Sequence, residues 1–272
     1  MKKRSVLKKA LVMGLLVRWG VCPRAAWSNE PYKIGGVFSI TGPSSFLGDP
    51  EEKSLKLAVE EINAQGGIDG HPVEAVIYDT EGDPGKTVLA VNKLISKDNV
   101  LAVIGPSLTA TTLAVVPIAE KEKVPLISCA AGIKITDPVR RWVFKTAQND
   151  VLAVAAIYDH MKKKGIRKIG IITVENAFGE SGKEQLVAQA PQFGMELVQQ
   201  ERFGTRETDM TAQLTRLRTA QPDAVICWGT NPGPAVVAKN VQQMNLKIPL
   251  YQSHGVASPR FMELAGDAAE GI

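Results

Sequence analysis

The sequence predicts an α/β protein made of two Rossmann-like, doubly wound lobes with a ligand cleft between them. Short apolar runs rich in β-branched residues alternate with amphipathic segments along the 272-residue chain. That order gives parallel sheets covered by helices on both faces. The alternation forms two series that meet near Ala147, so we expect a first lobe at residues 29–147 and a second lobe at residues 148–272. Clefts between such lobes are favoured places for ligands.

The first 28 residues differ in composition from the rest of the chain. They contain seven basic and no acidic residues, an apolar run at residues 10–17, and small residues around Ala26. This order is typical of a secretory signal peptide, and we predict export with cleavage of this segment. The remaining 25 basic and 28 acidic residues give a formal net charge of −3. That balance gives no reason to expect nucleic acid or an acidic membrane surface as a partner.

The strongest candidate site is the predicted turn at residues 106–109. It follows an apolar, β-branched strand at residues 100–105 and precedes a helix at residues 110–123. The turn therefore lies at the edge where open α/β sheets bind ligands. The hydroxyls of Ser107 and Thr109, with the free N–H groups of the helix's first turn, predict a site for an anion. The alternative is that one of these residues is an ordinary N-cap.

The other elements follow in the same alternating order. Glycine and proline favour a loop at residues 41–48, and Pro50 suits the first turn of the helix after it. The expected strands are residues 32–39, 73–78, 124–128, 142–147, 168–173, 196–202, 224–228 and 249–252. The expected helices are residues 50–65, 85–97 and 150–164, one ending near Phe193, one containing Leu214, one containing Val237, and a short one at residues 258–265.

Two sequence features carry no function of their own. The Gly-Lys-Thr stretch at residues 85–87 is similar to the end of a phosphate-binding loop, but Thr80 stands where that loop needs a glycine. We therefore reject nucleotide binding there. Cys129 and Cys227 fall in different lobes and in apolar strand contexts, so we expect small core residues and no disulfide.

Catalysis is the least favoured function. The histidines His71, His160 and His254 stand in no spacing typical of a zinc site. Gly179 opens a five-residue stretch similar to the G-x-S-x-G nucleophile elbow, but Lys183 occupies its last position. A hydrolase on a doubly wound fold remains a minor alternative, and no cofactor is expected.

Six segments, in order, resemble the type I periplasmic solute-binding proteins, most closely the Leu/Ile/Val-binding proteins of ABC importers. The segments are YKIGGVFSITGPSSFLG (32–48), VEEINAQGGIDGHPVE (59–74), YDTEGDPGKTVLAVNKLI (78–95), VIGPSLTATTLAVVPIAEKEKVPLIS (103–128), VENAFGESGKE (174–184) and GVASPRFMELAGDAAEG (255–271). Each motif alone is weakly specific, whereas their order and spacing together are specific.

The resemblance implies two lobes that close on a small carboxylate or amino acid by hinge motion. It implies a monomer in the periplasm or another extracytoplasmic space, which delivers its ligand to an inner-membrane ABC permease. A ligand-sensing domain of the same fold is the alternative. Because the family continues beyond the point that matches Ile272, the resemblance also implies a chain truncated at its C-terminus, without the second return to the first lobe.

The resemblance places the ligand carboxylate in the first lobe, against the loop of Ser107, Leu108 and Thr109. Thr109 matches a carboxylate-binding hydroxyl residue, and Ala130 matches a backbone contact. Gly132 stands where the amino-acid binders have threonine. Positions where tyrosines are usual are occupied by Leu47, Phe178 and Asn231.

His254 is the departure with the largest chemical consequence. It falls where the amino-acid binders place a glutamate that pairs with the ligand's ammonium group. A buried ammonium without a carboxylate partner is costly, so an amino acid would need Asp79, Glu81 or Glu175 instead. An amino acid is the family default, and a branched or aromatic organic acid is the sharper hypothesis. The alternative is that His254 is a surface histidine.

Overall fold

The structure is a computed structural model that describes residues 30–272. In this part of the chain the strands form two separate parallel sheets covered by helices. This confirms the predicted α/β class with two parallel-sheet lobes. The predicted signal peptide, residues 1–28, lies outside the described residues.

The first sheet has the strand order β2-β1-β3-β4-β5, and all its neighbouring strands are parallel. Its core is aliphatic, with Val37, Val103 and Leu126 almost fully buried under the helices. The strands are β1 (Tyr32–Phe38), β2 (Val73–Asp79), β3 (Ala102–Ile104), β4 (Leu126–Ser128) and β5 (Val143–Lys145). The helices are α1 (Ser45–Ala64), α2 (Pro84–Ser96) and α3 (Thr109–Glu122).

The second sheet has the strand order β7-β6-β8-β9 and is also parallel throughout. Its central strands are buried on both faces, and Trp228 and Tyr158 are among the largest fully buried side chains. The strands are β6 (Lys168–Val174), β7 (Glu196–Phe203), β8 (Ala224–Trp228) and β9 (Leu250–Gln252). The helices are α4 (Asp150–Lys163), α5 (Ala177–Phe193), α6 (Thr211–Thr219), α7 (Gly233–Gln243) and α8 (Pro259–Ala265).

Each sheet contains one switch point, where the winding of the chain reverses. It lies between β1 and β3 in the first sheet and between β6 and β8 in the second. The crevice outside the carboxyl ends of the strands at a switch point is where doubly wound folds bind ligands. Ser107 follows β3 and Asn176 follows β6, so both switch points are occupied by polar side chains.

Gly105 controls the path of the chain out of β3. Its φ of +99° is in the region that favours glycine, and an added Cβ would lie 2.2 Å from the carbonyl oxygen of Val37. Any other residue would therefore clash with the backbone of β1 and be strained. This close approach brings the Ser107 hydroxyl to the backbone N–H of Ser39, at 3.0 Å.

Helix α1 begins earlier than the sequence indicates, and the start of α5 is set by a side-chain cap. Helix α1 begins at Ser45, five residues before Pro50, so half of the expected loop is helical. Gly48 makes this possible because its missing Cβ would lie 2.3 Å from the Ser39 carbonyl, at the end of β1. Helix α5 begins at Ala177 because the Asn176 side chain accepts hydrogen bonds from the first-turn N–H groups.

The two sheets are joined by a short segment. Strand β5 ends at Lys145 and helix α4 begins at Asp150, and we propose the lobe boundary of the sequence analysis, 147/148, within it. No helix in residues 30–272 has both the length and the apolar character that crossing a membrane requires.

Candidate functional site

A cavity of about 490 Å³ lies between the carboxyl edges of the two sheets, and we call it the cleft. Its wall on the first lobe includes Leu47, Ser107, Leu108, Thr109 and Ala130, and its wall on the second lobe includes Phe178, Asn231 and His254. Eight of the nine site residues that the sequence analysis names therefore line one cavity. Gly132 is the exception.

The N-terminus of α3 abuts the cleft without a side-chain cap. The capping position is occupied by Leu108, and no side-chain oxygen accepts a hydrogen bond from the helix's first turn. The N-cap alternative for Ser107 and Thr109 is therefore wrong. Free N–H groups and the positive end of the helix dipole favour an anion at this place.

Gly132 lies behind Thr109 rather than on the wall. Its backbone N–H donates to the Thr109 hydroxyl oxygen at 3.3 Å, so the hydroxyl hydrogen remains to donate elsewhere. An added Cβ at Gly132 would lie 2.3 Å from Thr109 Cγ2. Gly132 therefore positions Thr109, and a threonine at residue 132 would force the Thr109 side chain to move.

Ala130 cannot offer its N–H group to a ligand. That N–H donates to the Ser128 hydroxyl at 3.1 Å, and Ser128 is hydrogen-bonded to Thr112 at 2.8 Å. Neither of these two hydrogen bonds uses the Ala130 carbonyl, which is an acceptor. The backbone contact expected at Ala130 would therefore be to a hydroxyl or an ammonium group, not to a carboxylate.

Ser107 is held by two partners that lie far from it in the sequence. Its oxygen accepts the Ser39 N–H, and its hydroxyl donates to the carboxylate of Glu51. Burial raises the pKa of Glu51 to about 7, although the Ser107 hydrogen bond acts in the opposite direction. Glu51 was not among the site residues predicted from the sequence. The available signal was a charged residue one helical turn before the buried Leu55, on the inner face of α1.

His254 stands inside an aromatic corner of the second lobe. Its ring makes edge contacts with Phe178 and Trp228, at centroid distances of 5.4 and 5.6 Å, and its side chain is 17% exposed. The surface-histidine alternative is therefore wrong. Burial lowers the pKa of His254 and the nearby Lys145 lowers it further, so the ring is neutral at pH 7. A neutral imidazole has one donor and one acceptor nitrogen.

Asp150 lies directly behind His254 and does not line the cleft. Its Oδ1 is 3.7 Å from His254 Nε2, which is too long for a hydrogen bond, and its other oxygen accepts the Ser181 hydroxyl. Burial raises the pKa of Asp150 to about 6. The Lys145 ammonium, which donates to the Ala131 carbonyl at 2.5 Å, is close enough to Asp150 to interact with its carboxylate. Charged groups of both lobes therefore meet here.

The three carboxylates that could replace the missing glutamate are poorly placed to do so. Asp79 accepts the N–H groups of Ile40 and Thr41 and holds the turn after β1. Glu175 does not line the cleft. Glu81 lines it but is paired with Lys86 at 2.5 Å.

The wall also contains one residue that the sequence placed in the core, Cys129, and one residue that was not predicted, Arg206. Cys129 is only partly buried and lines the cleft, so the small-core prediction is wrong for it, while Cys227 is fully buried as expected. Burial raises the pKa of the Cys129 thiol to about 12, which leaves it neutral.

Arg206, which the sequence analysis missed, adds an exposed cation to the rim. Within residues 30–272, no group of three or more His, Cys, Asp or Glu side chains could hold a metal ion.

Residues 31–272 match the model of the family described as periplasmic binding protein. The "Leucine-, isoleucine-, valine-, threonine-, and alanine-binding protein" of Pseudomonas aeruginosa is 27% identical over 248 residues, which are 89% of this chain and 65% of that protein. The chain thus spans about two thirds of the length of this relative.

Solved structures give the same result. An extracellular ligand-binding receptor from Rhodopseudomonas palustris HaA2 is 32% identical, with a TM-score of 0.82 over 88% of this chain and 66% of that one. The branched-chain amino acid transporter substrate-binding protein LivJ of Streptococcus pneumoniae, in complex with isoleucine, is 27% identical. Its TM-score is 0.79 over 87% of this chain and 68% of that one.

We predict that Glu51→Gln raises the free energy of unfolding at pH 8 by about 2–3 kcal/mol. A carboxyl whose pKa is raised from 4.5 to about 7 keeps its proton in the folded state after the unfolded chain has lost it. Its contribution to stability is therefore full below about pH 4.5 and is lost as the pH rises to about 7. Urea unfolding at pH 5 and pH 8 measures the effect, which should become small at pH 5.

Glu52→Gln is the matched control, because Glu52 is the next residue on α1 and is paired with Lys56. It should keep the wild-type dependence of stability on pH. A Glu51→Gln protein that is no more stable than wild type at pH 8 would contradict the assigned burial of this carboxylate.

Proposed function

The chain belongs to the periplasmic binding protein family, and we propose that its cleft binds a small carboxylate for delivery to an ABC permease. The protein acts as the extracytoplasmic substrate-binding component of the importer, as a monomer, and binds by closure of its two lobes on the ligand. The observation that carries this proposal is the uncapped N-terminus of α3, which faces an inter-lobe cavity of about 490 Å³.

The first lobe supplies the donors for a carboxylate. The N–H groups at the start of α3 have no side-chain acceptor, and Thr109 keeps its hydroxyl hydrogen because Gly132 donates to its oxygen. Charge-assisted hydrogen bonds from such donors are about twice as strong as neutral ones. We propose that the ligand carboxylate lies between Thr109 and the first turn of α3.

The second lobe supplies an apolar surface for the rest of the ligand. Val174, Phe178 and Phe203 line it, and the cavity volume lies within the ~300–1,000 Å³ range of small-molecule sites. Leu47 adds an apolar side chain from the first lobe. These walls suit a branched or aromatic side chain rather than a polar one.

The wall is poor in partners for an ammonium group. His254 is neutral, and Glu81 is already paired with Lys86. The acceptors that remain are neutral, and they include the Ala130 carbonyl and the buried side-chain oxygen of Asn231, which has no hydrogen-bond partner. The relatives named above make a branched amino acid the default ligand, but we propose that the 2-oxo acid with the same side chain binds at least as tightly. Its carbonyl oxygen can accept a hydrogen bond from the imidazole.

We expect Thr109→Ala to weaken binding by about 1–3 kcal/mol, or ~5–150-fold, because one donor to the carboxylate is lost. Titration calorimetry at pH 6.5 with L-isoleucine and with 3-methyl-2-oxopentanoate measures the change. Thr215→Ala is the control, since Thr215 is exposed on α6 and its hydroxyl bonds within that helix. Unchanged affinity in Thr109→Ala would exclude Thr109 as the carboxylate donor.

The His254→Glu variant tests whether residue 254 faces the α substituent of the ligand. A glutamate there would pair with an ammonium group and repel the 2-oxo acid, so the affinity ratio of L-isoleucine to 3-methyl-2-oxopentanoate should rise at least ~10-fold. The two probes have the same side chain and differ only at the α position. His254→Gln serves as the neutral control and should leave the ratio close to wild type. An unchanged ratio in His254→Glu would mean that this position does not face the ligand's α substituent.

A further inference from the structure

We propose that Glu51 and Ser107 form a proton-linked carboxylate subsite, in which Ser107 donates to the ligand only while Glu51 is protonated. Ligand binding then takes up one proton from solvent. This inference rests on the proposed function, because it requires a carboxylate to lie at the first-lobe wall. It assigns Glu51 as a positioning residue that acts through Ser107.

The hydrogen bonds of Ser107 leave no donor for a ligand while Glu51 is ionised. A serine hydroxyl has one hydrogen and two acceptor lone pairs. The hydrogen is donated to the Glu51 carboxylate, and one lone pair accepts the N–H of Ser39. Ser107 nevertheless lines the cleft and is 4% exposed, so its position is suitable for binding but its hydrogen is already in use.

Protonation of Glu51 reverses the direction of this hydrogen bond. The new carboxyl O–H donates to the Ser107 oxygen, whose two lone pairs are then occupied by Glu51 and by Ser39. The Ser107 hydrogen is released and can turn toward the cleft. The proton comes from solvent and stays on Glu51, and no covalent bond of the protein or the ligand changes.

The negative charge of ionised Glu51 also disfavours the binding of a carboxylate. Ionised, it is an unpaired negative charge just behind the wall, since no ion pair involves it in the described part of the chain. From the neighbouring elements, the groups that face it are the Ser107 hydroxyl and the Cys129 thiol after β4, which is neutral. On its own helix, Glu52 is paired with Lys56. No cation therefore offsets the repulsion between Glu51 and a ligand carboxylate.

Burial brings the two protonation states of Glu51 into the accessible pH range, because it raises the pKa of this carboxyl to about 7. Above that pH a proton must be taken up before Ser107 can donate. The apparent dissociation constant should then rise about tenfold per pH unit, or ~25-fold between pH 6.5 and pH 8.5.

The test is titration calorimetry with 3-methyl-2-oxopentanoate and with L-isoleucine at pH 6.5, 7.5 and 8.5, in phosphate and in Tris. We expect the wild-type protein to lose ~25-fold in affinity across this range and to take up close to one proton per ligand at pH 8.5. Glu51→Gln should abolish the dependence on pH and bind more tightly than wild type at pH 8.5, because the amide donates to Ser107 as the protonated acid does. A gain of affinity on removing a buried hydrogen-bonding carboxylate is not expected of a structural role.

Two further variants complete the test. Ser107→Ala should bind more weakly at pH 6.5 and show a smaller dependence on pH than wild type, because only the repulsion by ionised Glu51 remains. This variant keeps the inference testable if Glu51→Gln does not fold. Glu52→Gln should keep the wild-type profile. Identical pH profiles in wild type, Glu51→Gln and Ser107→Ala would overturn the inference while leaving the proposed function intact. Failure of both probes to bind wild type at any of these pH values would overturn the proposed function and this inference with it.

Discussion

The close approach of the end of β3 to β1 is the constraint on which the first-lobe wall depends. Gly105 alone permits it, because the Val37 carbonyl occupies the space of a side chain at that position. The approach places Ser107 against the Ser39 N–H and sets Thr109 as the first residue of α3. Without it, the donors of the loop and the free N–H groups of the helix would not meet in one place.

Across the cleft from these donors, the second lobe presents aromatic rings and an uncharged imidazole. An aromatic corner surrounds a neutral histidine, and behind it lie Asp150 of the second lobe and Lys145 of the first lobe. The lobes also touch beside the cleft, where the Ile133 N–H donates to Ser181 and Lys134 pairs with Glu184. A largely exposed pair of this kind contributes at most about 1 kcal/mol, so such contacts are compatible with lobes that open and close.

Local sequence pattern was sufficient to predict much of the secondary structure and one loop of the cleft. The alternation of strands and helices, the Ser107–Thr109 loop and the buried stripe of α6 with Leu214 depend on residues close together in the chain. Helix starts were less predictable. The beginning of α1 depends on how closely Gly48 packs against Ser39, which is a tertiary contact that local propensity does not record.

The features that the sequence analysis missed are contacts between distant residues. Glu51 and Ser107 are separated by 56 positions, and Gly132 and Thr109 by 23. Such pairs cannot be predicted from local sequence pattern, because folding alone brings their members together. The same holds for Ala130, whose N–H is used by Ser128 and whose carbonyl is the group left for a ligand. Sequence pattern indicated the Ser107–Thr109 loop and the family resemblance indicated the other wall residues, whereas the direction of each hydrogen bond came from the structure.

We place the ligand carboxylate at the N-terminus of α3, and a crystal structure of the protein grown with 3-methyl-2-oxopentanoate at pH 6 tests this position. We expect carboxylate oxygens within about 3.2 Å of the Thr109 hydroxyl and of a first-turn N–H group of α3, with the branched side chain against Phe178. A carboxylate bound at Arg206 or in the second lobe, with the side chain directed at α3, would contradict it.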